Sequence, residues 1–157
     1  VYYTGTWQNP QLFREAAIAA FNLGAGSIFE IGGVAGLAII EAAKEYGFLE
    51  MTTDQDKNHL APNYVLSSAM KDLTQATYLT IQDAVEGNWT GGEVRYDLAN
   101  GGVKIAPFHG LSQYVSQEVN DRIKKARQDI VDGVMIVPKT LEEGEEFLQG
   151  VQFERPK

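Results

Sequence analysis

The first half of the chain alternates short apolar runs with stretches in which apolar residues recur every three or four positions. Short runs bounded by turn residues are typical of β-strands, whereas the three-to-four spacing is typical of helices with one buried face. Asn9 and Pro10 have the chemistry of a helix start, and glycines follow each predicted helix. The predicted order is a strand at 1–6, a helix from Pro10 to about Leu23, a strand at 27–31, a helix ending near Tyr46 and a strand at 48–51.

The second half of the chain keeps this patterning but is interrupted by more turns. Asn100-Gly101 lies between two apolar stretches and is a strong signal for a β-hairpin. Thr140 and Glu143 have the spacing of a capping box, which predicts a short terminal helix. We expect the tail from Gly150 to be loose or docked against a missing element. The elements predicted for this half are strands at 64–66, 93–98, 102–107 and 134–137 and helices at 70–85, 115–130 and 140–148.

Strands that alternate with helices through short connections predict a parallel sheet with right-handed crossovers, so the fold class is α/β. The chain has 157 residues and 44% hydrophobic residues, enough for one ordinary domain with its own core. No internal boundary is visible. We therefore expect residues 1–157 to form a single α/β unit.

Charge and composition exclude several classes of function. The net charge of −8 argues against nucleic-acid binding, which depends on clustered Lys and Arg. The absence of cysteine excludes disulfides and thiol chemistry. No apolar run approaches the ~20 residues of a membrane span. The chain starts abruptly with VYYTGTW and carries no signal peptide, so we expect it to be trimmed or a fragment of a longer protein.

Polar residues follow two neighbouring predicted strands. Asp54 and Asp56 come after the strand at 48–51, and Ser67, Ser68 and Lys71 come after the run at 64–66. Ligands of open α/β sheets sit at the carboxyl ends of the strands, so a carboxylate and an ammonium here can anchor a small polar ligand. The alternative is that the acids are solvated loop residues and that Lys71 lies in the first turn of a helix.

The glycine-rich loop at 32–36 has three interpretations. Backbone N–H groups at the start of a helix favour a ligand, which Gly33 and Gly36 would allow to approach closely. A more specific interpretation is a dinucleotide-binding fingerprint, because Asp54 follows the loop at about the ~20 residues expected for the acid that binds the ribose. However, that fingerprint needs glycine where the chain has Ile31. The third interpretation is tight packing of the helix.

Trp7 follows the first predicted strand among polar neighbours, so its indole either stacks on a flat ligand ring or covers the core.

His59 and His109 lack metal-ligand spacing, so we predict no metal site and expect loop histidines with ordinary hydrogen bonds. Ser68-Ala69-Met70-Lys71 matches the S-x-x-K pattern without its companion motifs. We therefore predict no catalytic residues.

The motifs taken together resemble the basic membrane protein family of bacterial substrate-binding lipoproteins, similar to purine nucleoside receptors of ABC importers. The resemblance covers Val1 to about Leu148. Several positions depart from the usual pattern: Lys57 stands where Gln is expected, Thr52 and Thr53 precede Asp54, Glu50 interrupts the strand, and Gly26-Ser27 replaces the usual Ala-Asp-Val. The motifs that carry the resemblance are TGTWQNP, the G-G-x-x-G loop, EAAKEYG, DQD followed by LAPN, S-S-x-x-K, GGVKIAP and DGVMIVP.

The resemblance implies a type I periplasmic-binding-protein-like fold with two α/β lobes, of which this chain would be the C-terminal half. It implies a non-enzymatic protein without cofactor that binds a nucleoside-like ligand between the lobes and delivers it to an ABC permease. Asp54 and Lys71 would hold ribose hydroxyls, Gly33 and Gly36 would line the cleft, and Trp7 would stack on a base. The location would be extracytoplasmic, through an N-terminal lipid anchor absent from this chain. The alternatives are a Rossmann-like enzyme with a nucleotide cofactor and a ligand-sensing regulator on the same fold.

Overall fold

The protein is a mixed α/β structure built around a four-stranded sheet, and the computed structural model describes residues 1–150. The sheet order is β1-β2-β3-β4; β1 pairs with β2 and β2 with β3 in parallel, while β4 pairs with β3 antiparallel. The predicted parallel sheet is confirmed. The elements are α1 Pro10–Asn22, β1 Ser27–Phe29, α2 Leu37–Tyr46, β2 Leu49–Asp54, β3 Val65–Lys71, α3 Leu73–Glu86, β4 Val103–Ile105, α4 Gln117–Val131 and α5 Leu141–Gly150, with 3-10 turns at Asn58–Leu60 and His109–Tyr114.

Local chemistry sets the ends of the helices. The Asn9 side chain accepts a hydrogen bond from the Gln11 N–H, and Pro10 occupies the first turn of α1. Gly47 ends α2 and Gly87 ends α3, both in the left-handed conformation that favours glycine. The predicted start of α1 and the predicted ends of α2 and α3 are confirmed. Each of these helix ends depends on residues that are adjacent in sequence.

The core lies between α1, α2 and the strands. Small side chains at Ala17, Ala42 and Ala43 let the two helices approach closely, and Phe21 packs on Phe48 with ring centroids 5.5 Å apart. Phe13 of α1 lies against Gly32, so the same core also contacts the glycine-rich loop that precedes α2. The buried residues of this cluster are Phe13, Ala17, Ala35, Ile39, Ala42, Ala43 and Phe48.

Two predicted strands near the site are corrected by the structure. Residues 1–6 form no strand; the Thr4 hydroxyl donates to the Thr6 carbonyl and the Gln8 N–H to the Thr6 hydroxyl, which satisfies these groups locally. The other prediction ended the strand at 66 and began a helix at Met70, whereas β3 continues to Lys71. Asp72 then caps α3 by accepting from the Gln75 N–H. Ser67, Ser68 and Lys71 therefore lie within a strand.

Residues 93–98 do not form the predicted strand of a hairpin. The Asn100 side chain accepts from the Asp97 N–H and donates to the Arg95 carbonyl, so a side chain takes the place of ladder bonds. The turn at Asn100-Gly101 is present, but the short strand after it, β4, pairs with β3 instead. The hairpin prediction was wrong in its pairing.

The chain divides into two compact units, Val1–Val119 and a second that begins at Asn120. In the second unit, the Glu143 N–H donates to the Thr140 hydroxyl and the Thr140 N–H to the Glu143 carboxylate, which confirms the capping box. Residues 134–137 form no strand; the Met135 N–H instead donates to the Asp129 carbonyl. The tail prediction beyond Gly150 lies outside the described residues. Within residues 1–150, no helix combines the length and apolarity that crossing a membrane requires.

Candidate functional site

The carboxyl ends of β1, β2 and β3 lie at the same end of the sheet because these three strands are parallel. We call the residues that end or directly follow these strands the carboxyl-end rim. Asp54 is the last residue of β2 and Lys71 the last of β3. Lys71 Nζ lies 2.8 Å from Asp54 Oδ1, with the side chains 70% and 42% exposed. The structure thus pairs two of the predicted site residues where solvent reaches both.

Asp54 has an unusual backbone. Its φ of 75° lies in the left-handed region, which costs free energy for a residue with a Cβ and which Asp tolerates better than most. β2 ends at this residue. Strained residues of this kind concentrate at functional sites.

Trp7 and the glycine-rich loop line one cavity of about 400 Å3. Its walls are Trp7, Gln8 and Pro10 on one side and residues 32–35 on the other. Trp7 is 67% exposed, so the indole does not cover the core. Its face is available beside a loop with little side-chain bulk. This arrangement suits a flat ring that enters between the indole and the glycines.

The two predicted glycines have different surroundings. Gly33 has a φ of 56° and open space where a Cβ would project, so it faces the cavity. At Gly36 a Cβ would overlap the carboxylate of Glu30. The structure therefore places Gly33 on the cavity wall and Gly36 against a buried acid.

Glu30 is the centre of a buried hydrogen-bond network that no sequence motif indicates. It follows β1 directly, and its side chain is fully buried. One carboxylate oxygen accepts from the Gly32 N–H at 2.6 Å, and the other accepts from the Thr53 N–H at 3.1 Å. Lys57 Nζ lies 3.4 Å from the second oxygen. Lys57, the departure from the family pattern, is therefore the counter-ion of this acid.

Glu50 is also buried, and neither of its carboxylate oxygens has a hydrogen-bond partner among the described residues. Burial raises the pKa of Glu50 to about 8; the negative charge of Glu30 adds to the increase and the positive charge of Lys57 opposes it. The group is therefore mostly neutral at pH 7. The signal in the sequence was an acid inside an apolar strand run.

Asp56 and His109 form a second contact at the rim, with 2.7 Å between Asp56 Oδ2 and His109 Nε2. Burial acts to raise the pKa of Asp56, but hydrogen bonds from the Asn58 N–H and His109 outweigh it and hold the pKa below its usual value. His109 thus makes an ordinary hydrogen bond, as expected for a loop histidine. Among the described residues no cluster of His, Asp and Glu suits a metal ion.

The two serines of β3 are engaged inside the fold. Ser68 Oγ lies 2.7 Å from Thr52 Oγ1, and the Ser67 hydroxyl donates to the Ala106 carbonyl at 2.7 Å. Both serines are buried, whereas Lys71 is exposed. Residues three apart on a strand point to opposite faces, so Ser68 and Lys71 do not form a nucleophile–base pair.

Comparison with known proteins shows which family the sequence matches. A family model described as ABC transporter substrate-binding protein PnrA-like (Bmp) matches residues 1–140. Basic membrane protein D of Borreliella burgdorferi (strain JD1) is 32% identical over 140 aligned residues, covering 87% of this chain and 41% of that protein. Basic membrane protein B of Borreliella burgdorferi (strain ATCC 35210) is 29% identical over 153 residues, covering 95% and 42%. The chain thus spans less than half the length of these relatives.

Solved structures share the fold at low sequence identity. An ABC transporter system solute-binding protein from Aeropyrum pernix K1 superposes with a TM-score of 0.77 at 19% identity, over 94% of this chain and 50% of that one. A transcriptional activator of the comK gene from Bacillus halodurans gives 0.78 at 20% identity, over 88% and 48%. The predicted lobe of a periplasmic-binding-like fold is confirmed.

Proposed function

The chain belongs to the PnrA-like family of ABC transporter substrate-binding proteins, and from that premise we propose that it is one ligand-binding lobe of an extracytoplasmic solute-binding protein. The family that the sequence motifs indicated is confirmed. The proposed ligand is a purine nucleoside or a similar small molecule, and the proposed partner is an ABC permease. The anchor would be a lipid attached to an N-terminal segment outside this chain.

The Asp54–Lys71 pair at the carboxyl-end rim carries this proposal. A carboxylate accepts hydrogen bonds from neighbouring hydroxyl groups, and an ammonium donates to their oxygens, which is the pairing that a ribose diol needs. Both side chains are exposed, and they form an ion pair at 2.8 Å. A bound ligand would break this ion pair and would form charge-assisted hydrogen bonds with each of the two side chains.

Trp7 and Gly33 supply the complementary surface for the base in this proposal. A purine is flat and apolar on its faces, and base–aromatic stacking contributes about 1–3 kcal/mol. The cavity is lined by the indole and by a loop of small residues and one valine, Gly32, Gly33, Val34 and Ala35. Gly36 would act indirectly, since it contacts Glu30 rather than the cavity.

We propose further that the chain is the C-terminal half of a two-lobe protein, and that the second lobe supplies the opposite wall of the cleft. A small ligand is usually buried over 70–90% of its surface, which one open rim does not achieve. The lengths of the relatives support this proposal, since they are more than twice the aligned region. Closure of the two lobes on the ligand would report occupancy to the permease.

Calorimetry on the protein at its full encoded length tests the ligand. A panel of purine nucleosides, pyrimidine nucleosides and free bases would be titrated into the wild type, Asp54→Asn and the matched control Asp83→Asn, which removes an exposed acid of α3. We expect a purine nucleoside to bind, and Asp54→Asn to weaken it at least about tenfold, as the loss of a charged hydrogen bond predicts. Absence of binding by every purine nucleoside, or equal affinity in the two variants, would refute the proposal.

A ligand-sensing regulator is the second candidate, because a transcriptional activator shares this fold with a TM-score of 0.78. An intracellular location of the full-length protein, without a lipidated cysteine, would favour it. A Rossmann-like enzyme is the third candidate. Ile31 in place of the first fingerprint glycine weighs against it, and turnover with a nicotinamide cofactor would favour it.

A further inference from the structure

We propose that Glu30 is a positioning residue that holds the two parts of the carboxyl-end rim in register, with Lys57 as its counter-ion. The inference rests on the proposed function, because the rim is taken as the ligand site. The cavity wall begins at Gly32 and the anchor carboxylate lies at Asp54, residues far apart in sequence. The side chain of Glu30 is bonded to both segments.

The contacts of Glu30 place it between these segments. The oxygen that accepts from the Gly32 N–H fixes the residue directly before Gly33. The oxygen that accepts from the N–H and the hydroxyl of Thr53, at 3.1 and 3.3 Å, fixes the residue directly before Asp54. One rigid carboxylate therefore sets the distance between the backbone of the cavity wall and the backbone of the anchor.

The chemistry of this position requires two acceptor oxygens on one side chain. The polar groups that contact Glu30 are all donors: two backbone N–H groups, one hydroxyl and the ammonium of Lys57. A glutamine of the same shape would turn its NH2 group toward one set of donors and leave buried groups unsatisfied. Lys57 is itself buried, so the positive charge that balances Glu30 lies within the network.

Gly36 belongs to the same arrangement. A side chain at this position would occupy the place of the Glu30 carboxylate, so glycine here makes room for the positioning residue. The glycine-rich loop thus has two functions in this proposal. Gly33 leaves space for the ligand, and Gly36 leaves space for the acid that fixes the loop.

The test combines ligand affinity with a readout that needs no ligand. The variants Glu30→Gln, Lys57→Gln and the double variant would be made in the full-length protein, with Glu41→Gln, an exposed acid on α2, as the matched control. Affinity for the best purine nucleoside would be measured well below the unfolding temperature of each variant. Hydrogen exchange of the Gly32 and Thr53 amides would be measured by NMR without ligand.

We expect Glu30→Gln to weaken nucleoside binding at least about tenfold and to speed exchange at both amides, while Glu41→Gln changes neither. In the double variant, the amide carbonyl introduced at position 57 can accept from the NH2 group introduced at position 30. We therefore expect part of the lost affinity to return, as coupling in a double-mutant cycle. A residue important only for stability would lower the unfolding temperature without changing affinity at low temperature.

Two results separate this proposal from the proposed function. A folded Glu30→Gln protein with wild-type affinity and wild-type exchange at Gly32 and Thr53 would overturn the positioning role. If the wild type binds no nucleoside, the proposed ligand is wrong. The amide exchange rates in Glu30→Gln then test the positioning role by themselves. If Glu30→Gln speeds exchange at both amides, the positioning role is supported. If it speeds exchange at only one of them, or at neither, the positioning role is overturned.

Discussion

Glu50 combines a titratable group with a buried position on β2, next to Glu30 and Lys57. A carboxyl group without partners is better tolerated in the neutral form, because desolvation penalises the charge. The structure therefore contains two buried acids with different surroundings. Glu30 is bonded to donors, whereas Glu50 has no hydrogen-bond partner among the described residues and is mostly neutral at pH 7.

This difference predicts a pH dependence of stability. Below pH 4.5 Glu50 is protonated in both the folded and the unfolded protein; between 4.5 and about 8 only the unfolded protein loses the proton. The free energy of unfolding should therefore fall as pH rises through this window, by at most about 1.4 kcal/mol per pH unit from this group, and level off above it.

Urea denaturation at pH 5, 6, 7 and 8 measures the effect. We expect Glu50→Gln, which stays neutral, to flatten the profile and to be more stable than the wild type at pH 8. Glu15→Gln, a change at an exposed acid of α1, serves as the control and should keep the wild-type slope. Parallel profiles for the wild type and Glu50→Gln would contradict the assignment.

The sequence indicated Asp54 and Lys71 because each follows an apolar run, and parallel strands bring such positions together. It did not indicate Glu30, whose partners at Thr53 and Lys57 are more than 20 positions away. A local pattern contains no information about such a contact. The departures at Glu50 and Lys57 were visible in the sequence, but only the fold shows that both adjoin the same acid.

At the scale of elements, helices were predicted better than strands. A helix is stabilised by hydrogen bonds within itself and by capping residues next to it. The sequence therefore showed the start of α1 at Asn9, the end of α2 at Gly47 and the start of α5 at Thr140. A strand needs a partner. The apolar runs at 1–6, 93–98 and 134–137 lack a partner strand in the structure, where side-chain and turn hydrogen bonds replace the ladder.

The close packing of α1 on α2 gives a prediction for this scale. Ala43 is fully buried in the core cluster, so a leucine there would overpack the helix interface. We expect Ala43→Leu to lower the free energy of unfolding by about 1–3 kcal/mol. Ala19→Leu, at an exposed position of α1, is the matched control and should change it by less than about 0.5 kcal/mol. Equal losses in the two variants would contradict the packing.

At the scale of the whole molecule, the order of motifs indicated the family better than any one motif did. Each motif is short, but together they follow the strands, turns and helices of one lobe in order. The chain matches about half of a solved solute-binding protein with a TM-score of 0.77. Large apolar side chains of α3 are exposed in this chain, among them Leu73, Tyr78, Ile81 and Val85.

The central proposal is that Trp7 and the Asp54–Lys71 pair contact the same ligand. The most direct measurement is a fluorescence titration of the full-length protein with a purine nucleoside, in the wild type, Trp7→Leu and the control Trp89→Leu, which removes the other exposed indole. We expect saturable quenching in the wild type and in Trp89→Leu. In Trp7→Leu we expect loss of that quenching and affinity weakened about tenfold or more. Equal quenching and equal affinity in the two variants would contradict the proposal.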